Sequence, residues 1–162
     1  MRRDLTRRGL LAVSLSGALA AGLAGCGIAT PDDDSSEETA VDFGNISTAV
    51  PAATPRVVEV RDPQQSRNGF GHRFGLGLIC DSGEPFTAEE LDAVVEAIWR
   101  TLPWEPNTIK LTAGADTADG REAVDLRAAA AGLDPLGVTG AGQGGVSLTG
   151  LAERYGAWTA PE

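Results

Sequence analysis

Lysine, histidine and cysteine are scarce in this 162-residue chain: Lys110 and His72 are single representatives, and Cys26 and Cys80 are the two thiols. Metal sites built from His and Cys need several ligands, so one histidine and two cysteines far apart give no basis for a metal or other cofactor. Two thiols allow at most one disulfide. Aromatic residues make up only 5% of the chain, so a core must be assembled from Val, Leu, Ile and Ala rather than from rings. Positive charge is also in deficit. From Gly27 onward there are 9 basic and 22 acidic side chains, a balance that excludes a nucleic-acid binder held by phosphate contacts. No serine occupies a G-x-S-x-G elbow. The longest uncharged apolar run, Leu10 to Gly25, has 16 residues, whereas a spanning helix needs about 20.

That short run has the flanks of an export signal. Arg2, Arg3, Arg7 and Arg8 precede it, and Gly, Ala and Ser dilute it throughout. It ends in Leu23-Ala24-Gly25-Cys26, which resembles the bacterial lipobox: a branched apolar residue, two small residues, then a cysteine. Small residues let an extended backbone enter a peptidase groove, and the thiol is the nucleophile that accepts a diacylglyceryl group. The resemblance implies cleavage between Gly25 and Cys26, removal of residues 1–25, and a lipidated Cys26 as mature N-terminus. Buried acyl methylenes contribute about 0.8 kcal/mol each, so more than one chain holds a protein at a bilayer stably. Lipidation would also withdraw Cys26 from any disulfide. Thr6-Arg7-Arg8-Gly9-Leu10-Leu11 in turn resembles the twin-arginine export motif, with Ala12 where its trailing lysine usually stands. The bias toward Arg, Ala and Gly resembles that of proteins from high-GC bacteria, and the layout resembles their small lipoproteins.

Between residues 26 and 56 no periodicity appears, and Asp32-Asp33-Asp34-Ser35-Ser36-Glu37-Glu38 is the most acidic run of the chain. Low hydrophobicity with high charge predicts a disordered tether, with a reach on the order of 30 Å. Asn45-Ile46-Ser47 has the form of a glycosylation sequon, an accidental match in a bacterial chain.

A single domain is expected over residues 57–162. Val58 and Val60 alternate with Glu59 and Arg61 in a short strand closed by Asp62-Pro63, and a polar loop follows over 64–71. Phe74, Leu76, Leu78 and Cys80 then share one face of a strand whose other face carries Arg73, Gly75, Gly77 and Ile79. Thr87 and Glu90 form a capping box with Phe86 and Leu91 as hydrophobic staple, opening a helix whose apolar stripe runs from Leu91 to Leu102 and which Pro103 stops. Ile109, Leu111 and Ala113 point inward from the next strand, so strand, helix and strand read as a crossover joining parallel partners. Asp125 caps a second, Ala-rich helix reaching Leu133, and Gly145 to Leu148 is a last strand. The order β-β-α-β-α-β predicts an α+β two-layer sandwich: a small mixed sheet of about four strands against one or two helices.

Candidate functional residues are few. Gly69 to Gly77 is glycine-rich, but its glycines run into a strand instead of opening a helix, unlike a phosphate-cradling loop. Gly75 and Gly77 instead leave room on the sheet for a shallow groove. Asp116 and Asp119-Gly120 lack calcium-loop spacing and read as a turn. Trp99 belongs to the helical stripe. His72, Trp104, Tyr155 and Trp158 are the candidate binding residues, since exposed aromatics carry disproportionate binding energy. No catalytic set is assembled. The expectation is a lipid-anchored protein on the extracytoplasmic face of the cell membrane, acting as a binding or accessory module for an envelope partner or small ligand. A hydrolase using His72 is the alternative. Replacing Arg7 and Arg8 with lysines blocks export if the twin-arginine reading holds, a result checked by fractionating cells that express the variant.

Overall fold

The computed structural model describes residues 40–162; the leader, Arg7, Arg8, Gly25, Cys26 and the acidic run lie outside the described residues. Four helices and six strands follow in the order α1 (Ile46–Ala53), β1 (Val57–Asn68), β2 (Gly71–Cys80), α2 (Ala88–Thr101), β3 (Thr108–Thr117), β4 (Gly120–Val124), α3 (Arg127–Ala130), β5 (Gly137–Gly140), β6 (Val146–Thr149) and α4 (Leu151–Tyr155). The fold is α+β with one mixed sheet, and six strands replace the four expected.

The sheet runs β1-β2-β3-β6-β5, with β4 on the second half of β3. β1 and β2 are antiparallel, β2 and β3 parallel, and the remaining pairs antiparallel. The parallel pair is the one that α2 bridges, as the strand–helix–strand pattern predicts. Alternation settles the two faces. Phe74, Leu76, Leu78 and Cys80 of β2 join Ile109, Leu111, Ala113 and Ala115 of β3 in a single buried cluster with Leu91, Val94, Val95, Ile98 and Trp99 of α2.

α2 begins where its local signals place it. Thr87 Oγ1 accepts the Glu90 N–H at 3.2 Å and the Glu90 carboxylate accepts the Thr87 N–H at 2.8 Å, while Phe86 and Leu91 are both buried. The Arg56 guanidinium lies over the Phe86 ring, 4.6 Å from its centroid.

Three expectations are corrected. The tether does not extend to residue 56, because Ile46–Ala53 form α1 and Ile46 and Val50 are buried in the core. Ile46 and Val50 stand one helical turn apart, a two-residue signal diluted by the polar stretch before it and by Pro51 within it. β1 does not stop at Asp62-Pro63 but bulges there and continues to Asn68, so the expected loop 64–71 is largely ladder. Edge strands tolerate a proline because one side of the strand has no ladder to feed. Asp62 adopts φ +51°, a left-handed conformation that aspartate accepts more readily than most residues. A second irregularity, between Val57 and Glu59, turns Val58 outward, where it is 59% exposed. Finally, the second helix is only four residues long, and β4 and β5 were not anticipated. Asp125 still accepts the Arg127 N–H, at 2.8 Å.

The buried position of α1 yields a direct measurement. Ile46→Ala lowers the unfolding free energy by about 2–4 kcal/mol in denaturant titration, as large-to-small changes in a packed core do. The same substitution in a tether would leave stability unchanged.

Candidate functional site

The sheet face turned away from the helices carries a trough of about 540 Å³. Register explains its shape. The parallel pairing sets Gly77 beside Thr112 and Ile79 beside Gly114, and the antiparallel pairings add Arg61 beside Gly77 and Ala123 beside Gly114. Two glycines therefore lie in adjacent strands at the centre of the face, with Thr112 and Ile79 between them and the side chains of Arg61 and Arg121 among the lining groups.

Both arginines are held by carboxylates. Arg61 donates from Nε and Nη2 to the two oxygens of Glu59, each at 2.8 Å, in a two-pronged pair. Its position follows from its pairing with Gly77 in the ladder, just ahead of the bulge between Arg61 and Gln64. Arg121 reaches Asp116 Oδ1 at 2.9 Å. Its side chain lies across Gly114, where a Cβ would come within 3.0 Å of the Arg121 Cγ and Cδ. Glycine at 114 is what lets the guanidinium stem cross the strand. The hydrogen bonds from Arg61 hold the Glu59 carboxyl below the usual carboxylate range, with Arg121 adding a smaller pull in the same direction. Asp116 likewise favours the charged form of Arg61 more weakly than Glu59 does.

The residues singled out from the sequence fall into separate places. His72 and Trp104 come together, edge to face, with ring centroids 5.6 Å apart. Phe74 and Phe43 complete this aromatic cluster, and the Trp104 indole donates to the Asp42 carbonyl at 3.1 Å. The His72 backbone N–H donates to the Asn107 side chain and its carbonyl accepts the Asn107 N–H. Among the described residues no carboxylate or hydroxyl is hydrogen-bonded to the His72 imidazole, so its visible partner is a ring rather than a catalytic group.

Tyr155 belongs to a different cluster. Its hydroxyl donates to Asp92 Oδ1 at 2.6 Å, and Arg154 grips the same carboxylate with Nε at 2.7 Å and Nη2 at 2.8 Å while also donating to the Asp134 carbonyl. This triad clamps α4 onto α2. The Arg154 contact leads in holding the Asp92 carboxyl below its ordinary range, and burial leads in raising the Tyr155 hydroxyl. Trp158 packs against the core with its indole nitrogen buried and unpartnered among the described residues. Cys80, the thiol left over in the sequence, is buried on the core face, and desolvation pushes its pKa up to about 11. Among the described residues no group of three or more His, Cys, Asp or Glu is arranged to hold a metal ion.

Of the two glycines expected to open a groove on the outer face of β2, Gly77 lines the trough and Gly75 does not. Arg61 and Arg121 were not visible in the sequence as its lining, because only strand register brings residues 60 positions apart to one trough. No protein-family model matches the chain, and searches of curated proteins and of solved structures likewise return no match.

The Asp92 cluster predicts a pH dependence. A carboxyl whose folded pKa is depressed stabilises the fold above its unfolded value of about 4, and that contribution is lost as pH falls through the folded pKa. Tyr155, with its pKa raised, contributes below about pH 10 and loses that contribution as pH rises further. Asp92→Asn costs about 1 kcal/mol at neutral pH and flattens the acid limb of a stability–pH profile measured by chemical denaturation.

Proposed function

We propose that this protein is a lipid-anchored module of the cell envelope that binds its ligand in the trough on the open sheet face. The anchor is Cys26, supported by the lipobox-like Leu23-Ala24-Gly25-Cys26 after a charged and then apolar leader. The route is twin-arginine export, supported by Arg7 and Arg8 ahead of Leu10 and Leu11. Among the described residues the folded unit is compact, with Ile46 the first fully buried core residue and Phe43 packed against the core ahead of it. It is a sheet layer against a helix layer, carried on the extracytoplasmic side of the membrane.

The observation that carries the binding role is the chemistry of the trough. Gly77 leaves backbone uncovered at its centre, while the Arg121 stem covers Gly114, so a flat group can approach closely at Gly77. Arg61 and Arg121 supply guanidinium groups whose present partners, Glu59 and Asp116, are exposed. Exposed ion pairs contribute little net free energy, so a ligand carboxylate can displace either partner at small cost. The ligand class is therefore a planar or extended body bearing an anionic group, from a small molecule or from an envelope protein partner. The arrangement binds and positions; it presents no nucleophile paired with a base.

Two measurements test the two halves. Fatty-acid analogue incorporation is expected in the wild-type chain and absent from Cys26→Ala; incorporation that survives the substitution removes the anchor. A photo-crosslinker replacing Thr112 is expected to form an adduct in intact membranes that Gly77→Leu abolishes, with Arg61→Gln and Arg121→Gln each weakening capture about tenfold. An adduct indifferent to all three substitutions removes the trough.

A further inference from the structure

β1 and β2 form a hairpin closed by Asn68 opposite Gly71, with Gly69 and Phe70 as its two-residue loop. Gly69 takes φ +64°, the turn conformation glycine supplies cheaply. The Phe70 side chain is 110% exposed. Every other aromatic ring among the described residues is buried or packed against the core or a neighbouring ring. A lone phenylalanine at an exposed tip gains nothing for the fold.

A second observation falls at the same end of the molecule. Six of the cations among the described residues, Arg56, Arg61, Arg100, Arg121, Arg127 and Arg154, each have a carboxylate partner. Arg67, Arg73 and Lys110 have none among the described residues. All three lie toward the hairpin tip: Arg67 opposite His72 and Arg73 opposite Ser66 in the last rungs of the ladder, Lys110 beside Gly75 near the start of β3. Arg67 and Arg73 fall on opposite faces of the hairpin because successive strand residues alternate. Residues 40–162 hold 9 basic and 17 acidic side chains, so three cations without an ion-pair partner, against Asp42 and Glu105 at the same end, run against the sign of the whole. The segment ahead of α1 also passes this end, since the Asp42 carbonyl is bound by Trp104, which packs on His72.

We propose that the β1–β2 hairpin tip is a bilayer contact: Phe70 enters the interface while the exposed Arg67 and Lys110 meet anionic lipid headgroups, with the half-buried Arg73 adding its charge behind them. Aromatic side chains favour the headgroup level of a membrane, and each cation near an anionic surface adds to the attraction. A protein partner fits less well, because one ring without an apolar surround falls short of the buried area that specific interfaces need. The contact adds to the Cys26 anchor proposed above, and it holds one end of the domain against the membrane that the anchor only keeps near. Its orientation rests on that reading; its chemistry does not.

The test uses the full chain carrying Phe70→Trp, compared with the unsubstituted chain, on vesicles of phosphatidylcholine alone or mixed with phosphatidylglycerol, with and without brominated acyl chains. The difference between the two proteins isolates emission from position 70. Position 70 is fully exposed, so the substitution disturbs no packing. Expected are a blue shift and bromine quenching on the anionic vesicles, weakened by high salt. Arg67→Gln and Lys110→Gln each shift the lipid requirement about fivefold. A chain that sediments with the anionic vesicles while position 70 stays unquenched overturns the inference, as does equal quenching on phosphatidylcholine alone. The Cys26→Ala chain separates the two proposals: quenching at position 70 that persists without acylation supports the tip, whatever holds the N-terminus.

Discussion

The Arg56 guanidinium donates to the carbonyls of Ser82, Glu84 and Pro85, to the Ser82 hydroxyl and to the Glu90 carboxylate, and it lies over the Phe86 ring. Arg56 stands between α1 and β1, so a single side chain ties the opening of the sheet to the loop that leads into α2. Glu90 serves two masters here, accepting from Arg56 and closing the capping box with Thr87. The first residue of α2 is thereby fixed. A helix advances about 100° per residue, so a shift of one position would swing Leu91, Val94, Val95 and Ile98 off the sheet. The parallel pairing of β2 and β3 requires α2 to cross between them, and the trough on the other face requires that pairing to place Gly77 beside Thr112. Core and trough are two sides of one register.

Features set by short-range chemistry were legible. The capping box, the staple and the stripe of α2 lie within a few residues of one another, and alternation in β2 and β3 spans a single strand each. The α+β class and the parallel pair followed from them. What escaped depends on partners distant in sequence. α1 presents only Ile46 and Val50 to the core, too few for a periodic signal. β4 and β5 are short and mostly exposed, so neither buries enough alternating side chains to declare itself. β1 passes through Asp62-Pro63 because its outer edge needs no ladder there, a fact of position in the sheet rather than of composition.

The candidate site divides in the same way. Aromatic and titratable residue types drew attention to His72, Trp104, Tyr155 and Trp158, and each is engaged in packing or in an internal hydrogen bond, or is partly buried. Phe70 looked like one member of a glycine-rich stretch until the tight turn placed it at a tip with nothing around it. Arg67, Arg73 and Lys110 stood out only by subtraction, once the ion pairs of the other cations were known. The sequence pattern of β2 pointed to room at Gly75 and Gly77, of which only Gly77 lines the trough, and the cations around it came from β1 and β4 through the ladder.

The insertion of α1 into the core has a mechanical consequence. A pull on the chain ahead of Ala40 is first met by the Asp42 carbonyl on the Trp104 indole and then by Ile46 and Val50 in their sites on α2 and the sheet. Thr54, whose hydroxyl donates to the Glu90 carbonyl, and Arg56 come next. Only after these give way would tension reach β1. α1 and Arg56 therefore stand in series between the N-terminal side of the described residues and the sheet, so tension from that side loads the helix and its core contacts before it loads the ladder.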